Sequence, residues 1–253
     1  LPQTPKGSLK ARATMLDVRA VSKSFGGVKA LSQVSLRVDE RQIVSLIGAN
    51  GAGKTTLLSV VSGILQPDEG SVLFQGRRID GLNPHQIARM GIARTFQVTK
   101  PFVNNTVLEN VMVGAFSRTN DPREAQSKSL TVLRKVNFFA QRDLLAGELN
   151  TVDHKRLELA RALATEPKLL LLDEVMAGLT PSEKVQLLDL LRSIRDEGIT
   201  LIVVEHDMKA VMTLCERIVL MHRGEKLVEG TPQEVSSNPQ AIAAYLGEEY
   251  GTT

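Results

Sequence analysis

The chain has 253 residues, which is enough for one large domain or two modest ones with a buried core. The net charge of +3 comes from the amino-terminal end, because Lys6, Lys10 and Arg12 are the charged residues of positions 1–14. The remainder of the chain carries 28 basic and 28 acidic side chains, so it has no overall basic character. This distribution argues against a nucleic-acid-binding protein.

Residues 1–14 lack the apolar core of a signal peptide, and we predict that they form a disordered tail before a domain that covers residues 15–253. The apolar runs are too short to cross a bilayer, so a role at a membrane requires a partner. The single cysteine, Cys215, excludes a disulfide framework. Its helical spacing among apolar residues favours a buried thiol.

The domain begins with three strand-like runs, LDVRAVSKSF, VSLRV and QIVSLIG, and then passes through GANGAGKTT into the helical segment LLSVVSGIL. Strands are predicted next at GSVLFQG and GIARTFQ. Three helices follow within residues 106–164, at TVLENVMVGAF, AQSKSLTVLRKV and HKRLELARALA, with a loop at 117–124. The buried strands KLLLLDE and TLIVVEH then alternate with helices, and a hairpin turns at Arg223-Gly224. This pattern predicts an α/β fold with a mostly parallel sheet and an inserted helical subdomain at about 98–160.

Residues 48–55, GANGAGKT, fit the phosphate-binding pattern G-x-x-x-x-G-K-[ST] and lie between a predicted strand and a predicted helix. We call this segment the phosphate loop. Its glycines allow backbone N–H groups to turn toward phosphate oxygens, and Lys54 is expected to reach the β- and γ-phosphates. Thr55 is expected to bind Mg²⁺ through its hydroxyl. A glycine-rich turn that binds nothing is the alternative. The pattern predicts a nucleotide with β- and γ-phosphates as ligand, bound by Gly48, Asn50, Gly51, Ala52, Gly53, Lys54, Thr55 and Thr56.

Four polar side chains end other predicted strands. Asp173 ends LLLLD and is expected to bring a carboxylate to the metal, while Glu174 is expected to polarise the attacking water as general base. His206 follows TLIVVE and is a candidate sensor of the γ-phosphate. Gln97 ends GIARTFQ and is a candidate contact of both Mg²⁺ and water. Acidic residues and single histidines at strand ends are commonly structural, so these assignments depend on the phosphate loop.

The order of GANGAGKTT, Gln97, RLELARALA, LLLLDE and VVEHD resembles the ATP-binding cassette of ABC transporters, over about residues 16–246. The resemblance implies a P-loop NTPase, RecA-like core of mostly parallel sheet with an antiparallel β portion and an inserted helical subdomain. It also implies that Phe25 stacks on adenine. The segments GIARTFQ, LVEGTPQEV and AAYLGEE are similar to the subfamily that powers branched-chain amino acid importers.

This resemblance implies an ATP-hydrolysing subunit that dimerises head to tail with a second cassette, identical or related. The other implied partners are integral membrane permease subunits and, indirectly, a periplasmic or surface solute-binding protein, with no nucleic acid. The implied place is the cytoplasmic face of the inner (plasma) membrane. A lipid or lipopolysaccharide exporter cassette and a non-transport regulator that uses the same ATP switch are the alternatives.

The family signature usually reads LSGGQ, whereas residues 149–153, here called the signature segment, read LNTVD. Asn150 is a strong helix N-cap, Asp153 completes a pair resembling a capping box, and the Asn150 amide can donate to a nucleotide oxygen. Thr151 and Val152 place Cβ atoms where the family has glycines, and such atoms hinder close backbone approach. We predict a working signature of non-standard sequence, with slow hydrolysis at this site as the alternative.

Two further departures from the family pattern follow the catalytic glutamate. Val175 replaces the usual proline, which changes the backbone rather than the chemistry. Thr180 stands where many cassettes carry an aspartate in the loop that contacts the opposite protomer. A hydroxyl can supply only part of that hydrogen bonding.

Overall fold

The structure is a computed structural model that describes residues 12–96 and 100–249. Its strands are β1 (Thr14–Phe25), β2 (Val28–Asp39), β3 (Ile43–Ile47), β4 (Glu69–Phe74), β5 (Arg77–Arg78), β6 (Ile92–Arg94), β7 (Leu169–Asp173), β8 (Thr200–Val204), β9 (Arg217–His222) and β10 (Glu225–Gly230). Its α-helices are α1 (Lys54–Val61), α2 (Pro84–Met90), α3 (Val107–Ala115), α4 (Pro122–Lys135), α5 (Thr151–Ala164), α6 (Pro181–Asp196), α7 (Met208–Leu214), α8 (Pro232–Ser237) and α9 (Pro239–Glu249).

The strands form two sheets. The larger has the order β10-β9-β3-β8-β7-β6, and every pair in it is parallel except β9 with the edge strand β10. The smaller, β2-β1-β4-β5, is antiparallel. Every residue of β3, β7 and β8 is buried, which explains why their sequences are mostly apolar instead of alternating with polar residues. The expected parallel core with an antiparallel portion is confirmed.

The core lies on both faces of the larger sheet. One buried cluster joins that sheet to α3–α7, and the other joins it to α1 and the antiparallel sheet. The crossover between the neighbouring strands β6 and β7 contains α3, α4 and α5, which pack on one another. Gly114 permits close packing there, because a Cβ atom on it would lie 2.3 Å from the Arg161 carbonyl oxygen. The limits of about 98–160 for a separate subdomain stay a prediction.

Several element boundaries differ from the sequence prediction. The loop expected at 117–124 is shorter, because α4 begins at Pro122 and the Asp121 side chain accepts a hydrogen bond from the Arg123 N–H. The strand expected over GIARTFQ ends at Arg94. Helix α2 was missed, although the side chain of Gln86 accepts a hydrogen bond from the Asn83 N–H in a capping box that the sequence spells out.

The amino-terminal boundary also shifts. Residues 1–11 lie outside the described part of the chain, so the disordered tail stays a prediction for them. Ordered structure begins earlier than position 15: Arg12 pairs with Glu216 at 2.6 Å, and β1 begins at Thr14. The Ala13 carbonyl oxygen accepts a hydrogen bond from the Glu40 N–H, which fixes this short segment against the sheet.

Two local predictions are confirmed. Cys215 is buried, and burial raises the pKa of its thiol to about 12. The hairpin between β9 and β10 turns at Arg223 and Gly224, whose φ angles of 47° and 82° are both positive, as a type I′ turn requires. Within the residues described, none of the helices combines the length and apolar character needed to span a membrane.

Candidate nucleotide-binding and hydrolysis site

The phosphate loop connects the central strand β3 to α1, and three of its glycines have positive φ angles: 144° at Gly48, 80° at Gly51 and 99° at Gly53. A Cβ atom on Gly48 would lie 2.2 Å from the Met221 carbonyl oxygen, and one on Gly53 would lie 2.5 Å from the Ala30 carbonyl oxygen. The loop therefore packs against backbone from two other strands and requires glycine at both positions.

The predicted nucleotide contacts differ in burial along this loop. Asn50, Gly51 and Thr55 are exposed, Thr56 is half-buried, and Gly48, Ala52, Gly53 and Lys54 are buried. The Lys54 ammonium donates to the carbonyl oxygens of Gly48 (2.5 Å) and Ala49 (2.9 Å). Burial lowers the Lys54 pKa, and the nearby carboxylates of Glu174 and Asp173 oppose that shift. The ammonium is thus enclosed by the loop and close to both acids.

Asp173 ends β7 fully buried, with its two carboxylate oxygens in different environments. Its Oδ2 lies 3.0 Å from an Arg94 nitrogen, and the same guanidinium donates to the Ser59 hydroxyl at 2.9 Å. Among the described residues, the buried Oδ1 accepts no hydrogen bond. Arg94 was not among the residues predicted from the sequence, because the pairing of β6 with β7 that brings it to Asp173 joins segments far apart in the chain.

These residues fit a bound Mg²⁺ ion. Asp173 and Thr55 line the same groove, and the Asp173 Oδ1 atom lacks a protein partner in the described structure. Mg²⁺ is ordinarily held by one or two protein oxygens together with substrate phosphates and water. The Asp173 carboxylate and the Thr55 hydroxyl would supply the protein oxygens of such a donor set.

Glu174 and His206 follow the neighbouring strands β7 and β8, and the structure brings them together. The His206 Nε2 atom lies 3.1 Å from Glu174 Oε1. Glu174 has a φ angle of +52°, a left-handed conformation that costs a residue with a Cβ atom about 1–3 kcal/mol. Its N–H donates to the Val204 carbonyl oxygen at 3.0 Å. The sheet therefore holds the carboxylate at its carboxyl edge, beside the phosphate loop.

Of the two remaining predicted contacts, the structure describes Phe25 but not Gln97. Phe25 ends β1 with 47% of its surface exposed and the Lys23 ammonium 5.8 Å from its ring centre, so it is available for stacking. Gln97 lies outside the described residues, and its contacts stay a prediction. The preceding residue, Phe96, is described, and its N–H donates to Glu158 of α5 at 2.8 Å.

The signature segment begins α5, and the predicted N-cap at Asn150 is confirmed. Its Oδ1 accepts the Asp153 N–H at 2.8 Å, and its amide nitrogen donates to the Asp153 carboxylate at 2.9 Å. The carboxylate thus contacts the Asn150 side chain rather than its backbone. Asn150 has an ordinary extended conformation, and positions 150–153 are absent from the residues with positive φ. The backbone here does not itself require glycine.

The two other departures from the family pattern have structural roles. Val175 is buried beside the left-handed Glu174. Thr180 caps α6: its hydroxyl contacts the Glu183 carboxylate at 2.7 Å, and its N–H donates to the same carboxylate. This hydroxyl is already engaged within its own chain.

Residues 31–177 match the family model described as ABC transporter. The chain belongs to the family of ABC transporter ATP-binding cassettes. Residues 225–251 match the model described as the branched-chain amino acid ATP-binding cassette transporter. The chain is 41% identical to the high-affinity branched-chain amino acid transport ATP-binding protein LivG of Salmonella typhimurium, over 92% of this chain and 98% of that protein. The resemblance to this family and subfamily is confirmed.

Solved cassettes share the fold. The ADP conformation of MJ1267, an ATP-binding cassette of an ABC transporter, is 31% identical with a TM-score of 0.84, over 92% of this chain and 99% of that chain. The dimeric structure of MJ0796, a bacterial ABC transporter cassette, is 26% identical with a TM-score of 0.80, over 86% and 99% of the two chains. Cassettes of this family bind nucleotide and can form dimers.

Proposed function

We propose that this cassette hydrolyses ATP to energise the uptake of branched-chain or related amino acids. The observation that carries the proposal is the convergence of Lys54, Asp173, Glu174 and His206 at one edge of the parallel sheet, with Glu174 and His206 3.1 Å apart. The match of residues 225–251 to the branched-chain amino acid cassettes favours import over lipid export.

The proposed chemistry assigns one task to each group. Glu174 accepts a proton from the water that attacks the γ-phosphate, and His206 orients Glu174 and senses that phosphate. The N–H groups of the phosphate loop and the Lys54 ammonium neutralise charge on the β- and γ-phosphates. Thr55, Asp173 and Gln97 would hold Mg²⁺, which supplies further positive charge to the phosphates. Phe25 stacks on adenine.

The cassette acts in a head-to-tail dimer, in which the signature segment faces the nucleotide of the second cassette. The exposed Asn150 side chain and the N-terminus of α5 are suited to this, because a helix N-terminus favours negative charge. ATP closes the dimer, and hydrolysis reopens it. The partner is a second copy or a related cassette.

Permease subunits dock on the exposed apolar side chains of the groove that also contains Thr55 and Asp173, which has a volume of about 780 Å³. Three apolar residues line it: Val113 of α3, Ile64 after α1 and Phe96 after β6, and each is more than two-fifths exposed. An apolar groove of this kind fits a helix of an integral membrane protein. In this proposal the cassette works at the cytoplasmic face of the inner membrane, and a periplasmic or surface solute-binding protein acts on the other side.

The Glu174→Gln variant tests the catalytic assignment. It keeps the shape of the side chain but removes the base, so we expect ATP to bind, remain intact and hold a dimer together. Size-exclusion chromatography and phosphate release measure both effects, with the exposed Glu225→Gln as matched control. Normal turnover without an ATP-bound dimer would exclude Glu174 as the base.

A pull-down from membranes tests the transport assignment. We expect permease chains to be recovered with the wild type and lost with Val113→Asp, while the ATPase activity of the isolated cassette persists. Val185→Asp, at a 57% exposed position on α6, is the control. Recovery of lipid-export subunits would favour the exporter, and recovery of no membrane protein would favour a regulator.

A further inference from the structure

Lys155 lies on α5, five residues after the N-cap Asn150, and its side chain reaches the turn that follows β7. Its ammonium donates to the carbonyl oxygens of Glu174 at 3.0 Å and Ala177 at 2.6 Å. Hydrogen bonds from a charged donor are stronger than neutral ones. The signature helix is thus attached to the backbone of the proposed catalytic base in the same chain.

The same turn is held from its other side by β8 and the residue after it. The Val204 carbonyl oxygen accepts the Glu174 N–H, and the buried Glu205 carboxylate accepts the Met176 N–H at 2.8 Å. Burial lowers the pKa of Lys155, and the nearby carboxylates of Glu205 and Glu174 oppose that shift. Because Glu174 has a left-handed conformation that persists only when its surroundings hold it, each of these contacts helps to set the position of the carboxylate.

We propose that Lys155 is a positioning residue that couples the signature segment to the catalytic carboxylate of its own chain. The inference rests on the proposed role of Glu174 and goes beyond it. The start of α5 meets the nucleotide of the second cassette, and a helix moves as a rigid body over one or two turns. A shift of α5 on dimer closure therefore moves the Lys155 ammonium, and with it the turn at 174–177. Occupation of one site thereby sets the geometry of Glu174 at the other.

The test is Lys155→Met, which keeps the length of the side chain and removes the donor. We expect kcat to fall by about tenfold or more, with KM for ATP within about twofold and the Hill coefficient reduced toward one. Lys155→Arg restores a charged donor and should recover a large part of kcat. Lys135→Met is the matched control, since Lys135 is also a half-buried helical lysine but pairs with Glu197.

The outcomes separate this inference from the assignment of Glu174. The double variant Lys155→Met/Glu174→Gln should still form a dimer with ATP, because the phosphate loop is intact. If Glu174→Gln alone turns over normally, the assignment of the base fails. If Glu174→Gln is inactive while Lys155→Met keeps its kcat and cooperativity, only the role of Lys155 is overturned. A fall in kcat matched by an equal loss of ATP affinity would also overturn it, and Lys155→Leu, which likewise has no donor, repeats the measurement if the Met variant does not fold.

Discussion

The molecule contains two helix N-termini proposed to meet phosphate, and they are built in opposite ways. Helix α1 begins after Gly53, which has a left-handed conformation and, as a glycine, no side chain that could cap the helix. Helix α5 begins after Asn150, whose side chain satisfies the Asp153 N–H. The first terminus leaves its N–H groups for a ligand, whereas the second satisfies one of them from within. The two proposed phosphate sites therefore differ in construction, and only the first requires glycine for its own conformation.

The largest effect is expected from Gly48→Ala in the phosphate loop. The new Cβ atom would lie 2.2 Å from a backbone carbonyl oxygen, so the loop must move and nucleotide binding should be lost. Gly51→Ala is the matched variant, because it has a positive φ but no atom within 4 Å of the added carbon. We expect it to retain weakened binding by calorimetry. Equal ATP affinities of the two variants would contradict the claim that close backbone packing at Gly48 is needed for nucleotide binding.

Lys54→Ala should weaken Mg-ATP binding by about 10- to 100-fold or abolish it, since a charge-assisted contact to phosphate is removed. Calorimetry measures the affinity, and Lys29→Ala, at an exposed position on β2, serves as control. Unaltered affinity would exclude the phosphate-loop assignment.

Asn150→Ala tests the capped terminus and should have a smaller effect on affinity. Loss of the cap should lower the free energy of unfolding by about 0.5–2 kcal/mol. Turnover should fall much more than ATP affinity, because the signature segment meets nucleotide only in the closed dimer. Asn150→Ser should restore most of both properties. A lower melting temperature with intact cooperative hydrolysis, measured with the permease present, would make this terminus purely structural.

The smallest effect is expected from glycines at Thr151 and Val152, which return the family sequence. Each glycine should lower the helix stability by only about 0.3–0.5 kcal/mol, because Thr and Val already have a lower helix propensity than Ala. Turnover should change little, because the backbone does not need glycine here. Thermal unfolding and ATPase rate measure the two quantities. A marked rise in turnover would show instead that the Cβ atoms limit closure of the dimer.

Both termini could be predicted from the sequence, whereas two residues that contact the neighbouring acids could not. The phosphate loop is a contiguous pattern, and its strand–loop–helix context is visible in the neighbouring residues. The cap at Asn150 is local as well. Arg94 and Lys155 escaped sequence analysis, because their contacts with Asp173 and with the carbonyl oxygen of Glu174 join segments far apart in sequence. Such contacts depend on strand order and helix placement, which local periodicity does not specify.

The phosphate loop lies early in the chain, but its supports come late. Strand β3 pairs with β8 and β9, and the N–H of Gly224 donates to the Ala52 carbonyl oxygen at 3.1 Å. The carbonyl oxygen of Gly224 accepts a hydrogen bond from the Ser32 N–H, which joins the loop region to the antiparallel sheet. The ribosome synthesises the amino-terminal part first. The phosphate loop can therefore reach its folded conformation only after most of the polypeptide has been synthesised. We therefore expect a nascent chain that ends before Gly224 to have no affinity for ATP, so nucleotide can assist only the final stage of folding.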